Sequence, residues 1–170
     1  MSERIETTAI RNLIHNEEYC RKVLPFIKEE YFTDRLEKLL FTEIYKFVNK
    51  YNNLPTKESL SIEMNTNKGV SEDEYKRMNE IISSLNPEPI NLDWLVETTE
   101  VWCKDRAIHN AILGGIQILD GKDKDHTPEY LPEMLTEALS VSFDRKSAMI
   151  ICLNQKNDTN ITIEKKKDLN

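Results

Sequence analysis

A glycine followed by a lysine occurs once in the 170 residues, at Gly121-Lys122. In a phosphate-binding loop such a pair closes a G-x-x-x-x-G-K-[ST] run. The loop's backbone amides cradle phosphates while the lysine and the hydroxyl meet phosphate and magnesium. Here Ile116 stands five positions before Gly121 and Asp123 stands where the hydroxyl belongs, so the pair reads as a turn and no nucleotide site follows. Metal sites need clustered His, Cys or carboxylate ligands. His15, His109 and His126 are scattered, no C-x-x-C occurs, and Cys103 and His109, six apart, fall on different sides of one helix. Asp120, Asp123 and Asp125 resemble a calcium loop but lack its glycine and are followed by Pro128, which leaves a solvated acidic turn. No Ser, His and acid are tied together by local spacing. These residues predict no catalytic centre, no metal and no cofactor.

The elements around them are helical. Only 4 Gly and 6 Pro punctuate the chain, which favours long helices over strand turns. Ile5, Ala9, Ile10, Leu13 and Ile14 form the stripe of a first amphipathic helix, and Asn16 caps a second that Pro25 disturbs. Asp34, with Glu37 three residues on, opens a long helix to Tyr51 with Leu36, Leu39, Leu40, Ile44, Phe47, Val48 and Tyr51 inward. Asn52 to Pro55 breaks it, and Thr56 caps a short helix backed by Leu60, Ile62 and Met64. After a polar loop from Asn65 to Val70, Ser71 and Glu74 form a second capping box, opening a helix with Tyr75, Met78, Ile81, Ile82 and Leu85 inward.

Pro87 and Pro89 mark a subdomain boundary. Beyond it one long helix, Leu92 to Leu119, shows Val101, Ile108, Ile112, Ile116 and Leu119 at spacings of 7, 4, 4 and 3. A polar turn from Gly121 to Pro128 leads to a second helix, Pro132 to Ser140, offering Met134, Leu135, Ala138 and Leu139, so the pair is an αα-hairpin. A hairpin this long covers only part of its apolar surface. Val101, Ile108, Ile112, Ile116, Leu119, Leu135 and Leu139 are therefore the expected association surface. Gly114-Gly115 within the long helix marks either a kink or a close helix crossing, and Trp94 and Trp102 are expected in the core. The expected fold class is all-α: a helical head over 1–88, a hairpin over 89–144 and an irregular, unfolded tail over 145–170. Within that tail Ser147 to Leu153 is apolar and β-prone, and Lys165 to Lys167 is a solvated basic end.

Apolar residues make up 39% and charged residues 31%, lean but globular. No apolar run approaches the roughly 20 residues needed to span a bilayer, and the polar start reads as no signal peptide. Three scattered cysteines, Cys20, Cys103 and Cys152, suit a reducing cytoplasm. The net charge is -7, and the stretch after Phe143 holds more bases than acids, so the body is more acidic still. Phosphate binding rests on Lys and Arg, which argues against a broad nucleic-acid face.

In order along the chain stand Val23-Leu24-Pro25-Phe26-Ile27, Glu30-Tyr31-Phe32, Leu40-Phe41-Thr42-Glu43-Ile44-Tyr45 and Asn53-Leu54-Pro55-Thr56. They are followed by Asp93-Trp94-Leu95-Val96-Glu97-Thr98-Thr99-Glu100, Asp105-Arg106-Ala107 and Ala138-Leu139-Ser140-Val141-Ser142-Phe143-Asp144. This series, from residue 5 to residue 144, resembles the N-terminal domain of the DnaB-like replicative helicases, most closely those of T-even-like tailed phages. The resemblance implies a helical head and hairpin that build a collar on a hexameric ring by pairing hairpins between subunits, a docking surface for primase or a helicase loader, and a host-cell cytoplasmic location. The family's next parts, a linker helix and a RecA-like ATPase, have no counterpart in this sequence, and the residues from Arg145 depart from the family. The expected role is assembly within DNA replication, by self-association as dimer or hexamer, without enzymatic activity of its own. The alternative is a stand-alone adaptor that binds replisome proteins.

Overall fold

The computed structural model describes residues 4–143. The expectations for the tail, for Cys152 and for the basic end fall outside them. Among the described residues the fold is all-helical: α1 (Ile5–His15), α2 (Glu17–Val23), α3 (Arg35–Tyr51), α4 (Lys57–Thr66), α5 (Glu72–Ser84), α6 (Leu92–Leu119) and α7 (Leu131–Leu139). Single 3-10 turns stand at Glu29–Tyr31 and Pro128–Tyr130.

The helix starts follow from side chains that take up orphan amides. The Asn16 side chain accepts from Tyr19 N at 3.0 Å, Thr56 from Ser59 N at 3.1 Å, and Asn91 from Trp94 N at 2.8 Å. Ser71 and Glu74 form the full reciprocal box: Ser71 Oγ accepts from Glu74 N at 3.3 Å, and Glu74 accepts from Ser71 N at 3.0 Å. At α3 the expectation is only half met. Asp34 accepts from Leu36 N and Glu37 N, but the Glu37 carboxylate turns away, accepting from Thr7 Oγ1 at 2.9 Å and lying 3.3 Å from Arg4. A contact across the fold takes the place of the local box and pins the start of α3 to α1. Desolvation pushes the Glu37 carboxyl above its usual range. Asn52 ends α3 in the left-handed region at φ 51, a conformation Asn tolerates better than most residues.

One core joins α1 to α5 with the first part of α6: Ile10, Leu13, Tyr19, Leu40, Ile44, Leu60, Met64, Met78 and Ile82 pack with Leu95, Trp102 and Cys103. The Tyr19 hydroxyl lies 2.7 Å from Thr99 Oγ1, which donates to Leu95 O, so this buried polar pair is satisfied between α2 and α6. Trp102 sets its ring edge-on to Tyr31 and Phe32 at 6.3 and 5.2 Å. The His15 ring nitrogen, 2.7 Å from Leu85 O, ties α1 to the end of α5. After α7 the chain returns to the head, where Phe143 stacks on Phe26 at 4.8 Å. Three details differ from the sequence reading. Tyr51 and Ile62 are exposed because α3 and α4 outrun the core that covers their neighbours, and α4 continues to Thr66 instead of ending before Asn65.

Candidate association surface

At 100° per residue, positions 94, 101, 108, 112, 116 and 119 fall within about 40° of one line down α6. The head covers the side of that helix holding Leu95, Thr99, Trp102 and Cys103, and α7 covers the side holding Ala111, Gly115 and Ile118. The line between them stays open. Of the residues named from the sequence, Val101 is 61% exposed, Ile112 52%, Ile116 49%, Leu119 66%, Leu135 39% and Leu139 57%, while Ile108 is half-buried. The five on α6 share the stripe, and Leu135 and Leu139 stand four apart on α7.

Two apolar residues add to that surface. Trp94, expected in the core, is 53% exposed: Leu95 beside it takes the buried position, and the ring continues the stripe seven residues before Val101. Leu113 is open on the flank. The 7-residue step from 94 to 101 was the available signal for Trp94, and hydrophobic bulk alone pointed the wrong way.

The two glycines settle as a close crossing within a continuous helix. A Cβ on Gly115 would lie 2.9 Å from the Leu131 side chain, and one on Gly114 would lie 3.5 Å from Met134. Gly115 therefore lets α7 approach α6. Gly121, at φ 69, carries the chain out of α6 in the left-handed region open to glycine. The acidic turn that follows is internally bonded. The Asp123 carboxylate accepts from the amides of Asp125 (2.8 Å) and His126 (3.2 Å) and pairs with His126 Nδ1 at 2.9 Å, while Asp120 meets Lys122 at 3.2 Å. His126 stacks on Tyr130 at 4.6 Å. Hydrogen bonding, first to His126, holds the Asp123 carboxyl below its usual range. Lys122 points to this turn's own carboxylate.

The buried thiols are inert. Desolvation pushes Cys20 up to about 11 and Cys103 higher still, so neither offers a thiolate near neutral pH.

Charge divides the stripe. From 93 to 106, α6 carries Asp93, Glu97, Glu100, Lys104, Asp105 and Arg106; from 107 to 119 it carries no acidic, lysine or arginine side chain. The outer half of α6 therefore presents an open apolar line with no acidic, lysine or arginine side chain among residues 107–119.

The described residues thus form an all-helical head followed by a partly exposed helical hairpin. No family model matches the chain. The chain is 32% identical over 143 residues to the DnaB-like replicative helicase of Enterobacteria phage T4, a match covering 79% of this chain and 30% of that protein. The resemblance to the DnaB-like replicative helicases drawn from the ordered segments is thus met by a direct match, and the chain spans about a third of the relative's length. No helix among the described residues is long and apolar enough to cross a membrane.

Proposed function

We propose that this chain is the collar domain of a phage replicative DNA helicase, which brings subunits together through the outer half of its hairpin and gives the assembly a surface for primase or a loader. Similarity to a replicative helicase supplies the process. The observation that carries the assembly role is the open, charge-free line of Ile112, Ile116 and Leu119. Two acidic copies of one chain repel wherever their charges meet, and this line is where they meet none. Ile112 and Ile116 are already about half covered, so closing the rest of each contributes roughly 1 kcal/mol through area removed from water. Ile108, Leu135 and Leu139 extend the contact at its edges, while Val101 stands nearer the head. ATP binding and hydrolysis are not expected of the 170-residue chain, since Gly121-Lys122 turns the hairpin and its lysine meets Asp120.

Sizing with light scattering, and circular dichroism on the same sample, test the assembly role. The wild-type chain should form dimers or larger rings at micromolar concentration, and Ile112→Glu should shift it to monomer with helix content kept. A charge at that position loses the apolar gain and adds a desolvation cost of similar size in the contact. A monomeric wild type, or a variant that loses helix before it loses association, overturns the reading.

A further inference from the structure

The head-side half of α6 presents a different surface. Trp94 and Val101 lie two turns apart on one line, each with more than half its surface open. Trp94 sits in the first turn of α6, its amide held by the Asn91 cap, so the ring projects from a fixed helix start. Asp93, Glu97 and Glu100 run along one edge of this pair, and Asp105 falls on the stripe one turn past Val101. Lys104 interrupts the acidic edge, and Arg106 is turned toward the head side with its Nε buried. Among the described residues none of the four acids has an ion-pair partner, although the protein forms such pairs on α2, α3 and α5.

A second copy is a poor occupant here, because it would bring the same four carboxylates against this set. The outer half of α6, which carries no acidic side chain from 107 to 119, brings no such set along its own line. The complement of an apolar pair edged by unpaired acids is an apolar stripe edged by bases.

We infer that the head-side half of α6 docks a basic amphipathic helix of another protein, with its apolar stripe on Trp94 and Val101 and its lysines or arginines against Asp93, Glu97, Glu100 and Asp105. The inference deepens the partner-docking part of the proposed function and rests on the reading that copies meet through the outer half instead.

A fluorescently labelled helical peptide with a leucine stripe flanked by lysines is the probe, titrated into the full chain by anisotropy. The wild type should bind it with an affinity that falls as salt rises, and binding should shift tryptophan emission in the wild type but not in Trp94→Phe. The double variant Glu97→Lys/Glu100→Lys should bind at least about tenfold more weakly, and should gain affinity for the same peptide built with glutamates in place of lysines. Charge reversal at Glu63 and Glu80, exposed on α4 and α5, should change little. Equal weakening by both pairs of reversals means attraction to overall charge alone and overturns the inference, as does wild-type binding without any change in Trp94 emission. Stronger self-association of Glu97→Lys/Glu100→Lys, seen by sizing, means that a second copy occupies this half and also overturns it. A monomeric wild type that still binds the peptide through Trp94 defeats the assembly reading and leaves this one standing.

Discussion

From Asp93 to Arg106 helix α6 carries six charged side chains and sends Leu95, Thr99, Trp102 and Cys103 into the head. From Ala107 to Leu119 it carries no Asp, Glu, Lys or Arg and leaves Ile112, Leu113, Ile116 and Leu119 about half open. One continuous helix thus belongs to two environments. Its first half is held by the head, so the residues facing outward there can be charged without loss of folding. Its second half is covered mainly by the nine residues of α7, with Asn110 reaching Glu30 O at 3.0 Å, and beside the exposed His109 and Gln117 the uncovered line is apolar. Folding needs are met in the first half and only partly in the second, where apolar surface is left open.

The contrast is broken most severely by removing a head contact. Leu95 is fully buried, and Leu95→Ala should destabilise the fold by about 2–5 kcal/mol through lost transfer energy and the cavity left behind. At this chain length that is a fall of roughly 5–15 °C in Tm, read by circular dichroism. Leu119→Ala, on the open outer end, should lower Tm by far less in a sample held monomeric by dilution, while weakening association. If the two variants melt alike, the halves of α6 are not energetically distinct.

The glycine pair sharpens the comparison within the outer half. Gly115→Val places branched carbon where a Cβ already lies 2.9 Å from Leu131, which should push α7 off α6 at a cost of about 1–3 kcal/mol. Gly114→Ala meets Met134 at an ordinary 3.5 Å and removes a helix-interior glycine, so it should stabilise by up to about 1 kcal/mol. Opposite signs at adjacent positions, measured by thermal melts, are the expected outcome.

Much of this organisation was legible before any coordinates. The bounds of α6, the caps at Asn16, Asp34, Thr56 and Ser71, and the exposed stripe all follow from patterns local to one helix, where spacing alone fixes which residues share a face. What was not legible depends on contacts between distant segments. Glu37 has the spacing of a capping-box acid, yet Thr7 and Arg4, some thirty residues earlier, draw its carboxylate away. Trp94 and Leu95 are equally suited to a core by type, and only the position of the head decides that Leu95 is covered. The choice between a kink and a crossing at Gly114-Gly115 waits on where Leu131 lands. The charge boundary at 106/107 lay open in the sequence, but it gained meaning only once the outer line proved uncovered.

The smallest expected effect separates the two regions by acid. Glu74 lies in the head, where the Ser71 amide first, and then the Arg35 and Ser71 side chains, hold its carboxyl down at about 2. An unfolded glutamate titrates near ~4.3. A folded value below the unfolded one means that the stabilisation is fully present above ~4.3 and is lost as pH falls toward 2. Glu37 runs the other way: its raised folded value makes the ionised form costly, and that cost is relieved as pH falls to ~4.3 from above, before the Glu74 contribution is lost. The outer half of α6 has no carboxylate to titrate, and the hairpin's own acid-sensitive pair is Asp123 with His126 at the turn. Glu74→Gln should therefore melt slightly lower than wild type at neutral pH, with the gap closing by about pH 2, because the neutral side chain has nothing left to lose. Glu74 stands at the surface with 25% of its side chain exposed, so screening keeps the gap small, and salt should narrow it further. Asp123→Asn should show its own acid dependence without altering the Glu74 gap, since the two carboxylates serve different ends of the molecule. A Glu74→Gln deficit that persists unchanged into strong acid would show that the capping box stabilises by shape and not by charge.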